Sequence, residues 1–287
     1  AILFAPSSAI LDQTTLVTLE NPGNYGKIRV GGTIGWGIMV LAAGYLIDHL
    51  KIGLPIIFYL HIAFNLVFLL IIGIMPKAYH RSAEPKEQAT AGKVIELLRQ
   101  PGFLLFLLVV IIWGMGEASI SGFLFLHIQS LGGSSTLMGT ALSVSLIGEI
   151  LVFSFADKIQ ARVKPFKMVL MAFIVLFAWL IGLSLIKDPN AIPLFQVFGG
   201  AGYALLQSGS VAYVNARAPR EIGTTAQAIR GGVFSGFGVG IGSIISGWFY
   251  EKVGSALLFR NMSFIVLAGF IFGMITLIAY QKRQSAA

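Results

Sequence analysis

The chain has 287 residues, of which 56% are apolar and 11% charged, and its mean hydropathy is +0.84. A water-soluble domain carries about 25% charged residues, so this chain lacks the polar surface to dissolve in water and its solvent is a bilayer. Its net charge of +8 is spread over loops, which argues against a nucleic-acid partner, and the absence of cysteine excludes disulfides and thiolate metal sites.

A helix needs about 20 apolar residues to cross a hydrocarbon layer about 30 Å thick. In chain order, nine stretches meet or approach that length: 1–19, 31–49, 53–75, 103–129, 135–156, 166–186, 191–214, 226–249 and 257–280. The separators between them (ENPGNYGK, MPKAYHRSAEPKEQ, LGGSS, DKIQARVKP, KDPN, NARAPREIG, EKVG) carry the proline, glycine and charge of turns. The first stretch contains Pro6 and Asp12 and has no basic leader, so it does not read as a signal peptide. Segments 20–30, 76–102, 157–167, 215–230 and 281–287 hold 16 of the 20 basic residues. Positive loops stay cytoplasmic, which assigns the 76–102 loop and the C-terminus to that side. The expectation is an all-α, multi-pass protein of a bacterial inner or plasma membrane.

An internal repeat organises the spans. KIRVGGTIGWG at 27–37 matches AIRGGVFSGFG at 228–238, with Arg29 opposite Arg230 and Gly35-Trp36-Gly37 opposite Gly236-Phe237-Gly238. Gly44 to Asp48 then matches Gly247 to Glu251. Both copies run outward from a cytoplasmic loop, so the repeat is parallel, a device of transporters that hold solute between two halves. The second copy is the fifth of six spans after the 76–102 loop. The same count in the first half leaves three helices unaccounted for, and the expectation is a 6 + 6 protein whose first three helices are absent from this sequence.

Several segments resemble the major facilitator superfamily, closest to its branch of lactose-permease-like, nucleoside–proton and phenylpropionate permeases. They are NYGKIRVGGTIGWGI with GYLIDHL, VIELLRQPGFLLFL, SLIGEILVFSFADKI, and VAYVNARAPREIGTTAQAIRGGVFSGFGVGIGSIISGWFYEKVG, and together they cover most of the chain. SFADKIQARVKPFK resembles the second-half copy of the superfamily's basic cytoplasmic loop, with Asp157, Lys158 and Arg162 in matching places but without its usual glycines. The resemblance implies a two-bundle fold with about nine of twelve transmembrane helices present. Residues 1–75 would be the remainder of the N-terminal bundle, 76–102 a cytoplasmic linker and 103–287 the C-terminal six-helix bundle. It further implies alternating access and, commonly, proton-coupled uptake of a small organic solute, with no cofactor.

Ionisable groups in hydrocarbon cost about 2.5–3.5 kcal/mol to insert, which makes each a functional candidate. Glu117 lies 14 residues beyond Phe103, about 21 Å into its span, and shares a helix face with Trp113 and Ser121. Glu149 is seven residues from Ala156, about 10 Å from the cytoplasmic end, with Ser145 on its face. Loss of water favours the neutral form of a carboxyl, so either acid can carry a proton in one access state and release it in the other; a neutral carboxyl that only packs is the competing reading. Asp12, flanked by Ser8 and Thr15, is the equivalent candidate from the N-terminal bundle, or a cap for the break near Pro6. Tyr203, Gln207 and Ser210 form a polar stripe that would touch solute. Arg29 and Arg230 sit at the starts of equivalent helices and would pair with loop acids such as Glu20 and Glu221 as gates, or snorkel to the interface. His61 reads as a packing histidine and His127 as interfacial.

Two functions follow. One is a secondary transporter, whose partners are a small organic solute, protons and lipid. The other is a non-transporting scaffold or accessory subunit with a truncated transporter fold, bound to other membrane subunits. A membrane-embedded enzyme is not supported, since no nucleophile–base pair or metal-ligand spacing stands out.

Overall fold

The computed structural model describes residues 25–50, 55–74 and 91–285. Helices, with no strand, make up the described residues. That is what lipid demands, because backbone N–H and C=O groups without water must satisfy each other within the segment. The chain divides into two compact units, Ala1–Lys86 and Glu87–Ala287.

In the first unit, α1 (Tyr25–Leu50) and α2 (Ile56–Ile74) occupy the expected spans 31–49 and 53–75. Phe58, Tyr59 and Leu70 on α2 are 73%, 68% and 67% exposed. An apolar face of that extent suits hydrocarbon, not water.

The second unit opens with α3 (Ala91–Arg99), inside the stretch expected to link the bundles. It is amphipathic and anchors itself through Leu97, which is 1% exposed. Next come α4 (Pro101–Ser130), α5 (Ser135–Gln160), α6 (Pro165–Leu185) and α7 (Ile192–Asn215), at the positions expected for four of the spans. Proline occupies the first turn of α4, α6 and α7, where its missing N–H is no loss and its fixed φ suits a helix start. The final pair of spans is one continuous helical path: α8 (Gly223–Gly232), a π-helical stretch Val233–Val239, and α9 (Gly240–Ser285).

That path reverses at Gly254, whose φ is 77° and ψ 177°. Before it, Gly238 lies against Gly114, Gly242 against Met115 and Ala118, and Tyr250 against Phe123, so partners rise together along α4. After it, Phe259 meets His127, Val266 meets Gly116 and Gly269 meets Ile112, a descending series. Helix α4 thus packs against both limbs, with Phe103, Phe106 and Trp113 fully buried.

By length and composition, Gly31–His49, Pro101–Ser130, Ser135–Ala156, Pro165–Leu185 and the continuous Thr225–Ile278 can cross a bilayer, while the apolar stretch Ile56–Ile71 is shorter. Helix α7, an expected span, falls below that apolar mark because Gln196, Gln207, four glycines and two serines dilute it. It is sheathed by α5 and α6 and therefore needs less apolar exterior of its own.

The α5–α7 seam is a glycine contact. A Cβ on Gly200 would collide with the carbonyl oxygen of Ser145, and one on Gly148 with that of Val197. Gly200→Ala must push two backbones apart, an overpacking cost of about 1–3 kcal/mol. A lowered unfolding midpoint in detergent, relative to an alanine placed at the uncrowded Gly122, is the expected reading.

Candidate functional site

Helix α4 carries the first group. Trp113 is fully buried and its ring lies 6.0 Å from that of Phe234 in the π-helical stretch. The approach depends on Gly114, where a Cβ would come within 3.0 Å of the Phe234 carbonyl and the Gly238 Cα. One turn on, Glu117 is half-buried, and its Oε2 is sealed from solvent without a hydrogen-bond partner. The Trp113 Nε1 is likewise buried and unpartnered. Ser121, the third member of the stripe, is exposed and its hydroxyl donates weakly to the Ala118 carbonyl at 3.4 Å. The face therefore grades from a dry aromatic through an acid to an open hydroxyl. An orphan acceptor and an orphan donor one turn apart are chemically complementary to a solute hydroxyl or amide, since an unmet buried polar group costs about 1–3 kcal/mol until something bonds it.

Glu149 is half-buried on α5, beside the tight Gly148 contact. Its backbone N and the Ser145 carbonyl are the atoms nearest Gly200, so this turn touches α7 directly. Ser145 does not extend the acid's reach, because its hydroxyl donates back to the Leu142 carbonyl at 2.6 Å.

The third group joins α7 to α8, and combines residues assigned different roles from sequence. Arg230 is half-buried. Its Nη1 donates to Gln207 Oε1 at 3.2 Å and to Ser210 Oγ at 3.1 Å, and its Nε donates to Gln227 Oε1 at 3.0 Å. The Ser210 hydroxyl spends its proton on the Gln207 carbonyl, leaving a lone pair for the guanidinium. Gln227 turns its amide N toward Asn215 Oδ1 at 2.8 Å and the Val211 carbonyl at 3.0 Å, leaving its oxygen for Nε. Tyr203, one turn before Gln207, lies within electrostatic reach of Arg230. Two of the three acceptors around the cation, Ser210 and Gln227, are each held by a further bond.

This corrects the expected pairing of Arg230 with Glu221. Glu221 sits in the short 3-10 turn before α8 and meets Lys93 of α3 at 3.7 Å. Arg230 lies more than two turns further along, which directs it to α7. Of the basic-loop residues, Lys158 is exposed with its ammonium 5.4 Å from the Phe155 ring centre, and Arg162 is exposed. Asp157 ends up in the last turn of α5. Asp12 lies outside the described residues, as does Glu20, and Arg29 is placed as part of α1.

His61 is exposed on α2. One histidine differs from expectation. His127, expected at the interface, is 1% exposed. Its Nε2 lies 3.1 Å from the Leu183 carbonyl, which only an N–H can satisfy, so Nδ1 accepts from the Ser255 hydroxyl at 2.8 Å. The reversal at Gly254 delivers Ser255 to that ring, a tertiary effect invisible in the spacing. Gln227 and Asn215 were missed for the same reason, although Gln227 and Arg230 at i, i+3 share a helix face.

The model of the MFS_1 like family matches residues 1–261. The chain is 28% identical over 295 residues to a maltose permease of Geobacillus stearothermophilus, covering 100% of this chain and 71% of that protein. It is 25% identical over 260 residues to the uncharacterized transporter YwbF of Bacillus subtilis (strain 168), covering 88% of this chain and 62% of the relative. A third relative, multidrug resistance protein MdtG of Salmonella arizonae, is 25% identical over 209 residues, covering 71% of this chain and 51% of the relative.

Proposed function

Because the chain belongs to the MFS_1 like family, within the superfamily that its sequence resembles, we propose that it works as a secondary transporter that moves a small organic solute together with protons by alternating access. It is a multi-pass membrane protein of a transporter family; solute class and coupling ion are the proposed part. The observation that carries the proposal is the pair of unpartnered buried atoms on α4, Glu117 Oε2 and Trp113 Nε1. A protein that only packs its helices gains nothing from an acid held there, since an apolar side chain of similar volume removes the unmet acceptor. A carrier gains a group that binds a proton in one state and exposes it in another. Glu149 is the second such acid, at the α5–α7 seam, and Gln207 and Tyr203 are the solute-facing polar groups of α7. Asp12 would contribute from the N-terminal half, with Arg29, Asp157, Lys158 and Arg162 serving gating at the basic face.

The test is uptake of a labelled solute panel into proteoliposomes made with the full-length gene product, with an inward proton gradient and with the gradient collapsed by an ionophore. Accumulation that requires the gradient is expected. Equal uptake in both conditions removes proton coupling, and no uptake above protein-free liposomes removes transport.

A further inference from the structure

The α7–α8 cluster contains a positive charge for which the described residues supply no counter-charge. The partners of Arg230 are two amide oxygens and a hydroxyl, and no carboxylate lies within ion-pair distance of it among the described residues. A partly desolvated cation is expensive unless paired with an anion, and neutral acceptors compensate it only in part. The same three bonds fix the plane of the guanidinium and leave both N–H groups of Nη2 without an acceptor among the described residues. Arg230 is half-buried, so the residue keeps part of its surface. A cation pinned through Nε and Nη1 keeps the N–H groups of Nη2 for an anion such as a carboxylate, which can accept a charge-assisted hydrogen bond from them.

We propose that Arg230, pinned by Gln207, Ser210 and Gln227, receives the anionic group of the transported solute, which makes the substrate class small organic acids, acid sugars included, and not neutral solutes. This rests on the transporter reading above and narrows it. Tyr203, one turn from Gln207, would flank the bound acid. The supporting acceptors matter as much as the charge: with Gln207 and Ser210 removed, the guanidinium is free to turn away.

Binding and uptake separate the two claims. Binding is measured by calorimetry on the full-length protein in detergent with matched pairs, glucuronate against glucose and benzoate against benzyl alcohol. At least one acid is expected to bind about 10- to 100-fold more tightly than its neutral partner, the range of a charge-assisted hydrogen bond. Arg230→Gln should erase that preference. Arg230→Lys, which keeps charge and loses the fork, should retain part of it and gives a reading even where the glutamine variant folds poorly. Equal affinity for acid and neutral members, no measurable binding of either acid, or a preference that survives Arg230→Gln each overturns the anion site. Uptake of the same compounds into proteoliposomes then addresses the wider reading. Acid binding that depends on Arg230 with no uptake sinks transport and leaves the anion site standing. Uptake of neutral members that is indifferent to Arg230→Gln does the reverse.

Discussion

Glu149→Gln is expected to leave solute uptake proceeding at one rate whatever the external pH, with accumulation against a gradient lost. Glutamine preserves the size and polarity of the side chain and removes only the ability to exchange a proton. The acid sits on the turn of α5 where the backbone touches Gly200 of α7, so any movement that accompanies protonation is passed to the neighbouring helix without slack. Coupling between two ligands of one protein is worth about 5- to 150-fold in affinity, and removing one ligand's site forfeits that factor. The measurement is initial uptake rate against pH for wild type and variant in proteoliposomes of matched protein content. A variant that keeps the wild-type pH profile strikes Glu149 from the coupling role and leaves it a packing acid.

Glu117 gives the second large effect, with stability and activity moving in opposite directions. Its Oε2 has no partner in a dry setting beside Trp113. Glu117→Leu relieves the unmet acceptor and should raise unfolding stability by about 1–3 kcal/mol, while abolishing proton-dependent accumulation. Glu117→Gln, which still has a polar head to satisfy, should gain less. A functional site commonly trades stability for activity in this way. Were Glu117→Leu to melt earlier than wild type in detergent, the carboxyl would be a structural contact and the stripe Trp113–Glu117–Ser121 would lose its claim to function.

The sequence made the helices legible because hydrocarbon leaves them little choice: long apolar runs and proline or glycine punctuation located α4 to α7 with shifts of only a few residues at the ends. The acids stood out for the same reason, as rare charges in apolar runs. Pairings between helices were not legible. Arg230 and Gln207 were both singled out, but one as a gate and the other as a solute contact, because no periodicity reveals that α8 faces α7. His127 was misplaced because its burial depends on Ser255, brought back by a turn 128 residues away. The 3.6-residue rhythm also gave no sign of the π-helical stretch Val233–Val239, which lies against α4 at Gly114.

Gly254 also determines how the last two membrane crossings are joined. Its torsion angles lie in a region essentially reserved for glycine, and no atom stands within 4 Å of where a Cβ would project. The corner is therefore roomy yet forbidden to any residue with a side chain. With no linker between them, the two crossings turn on one pair of dihedrals and are held in place by their shared contacts with α4.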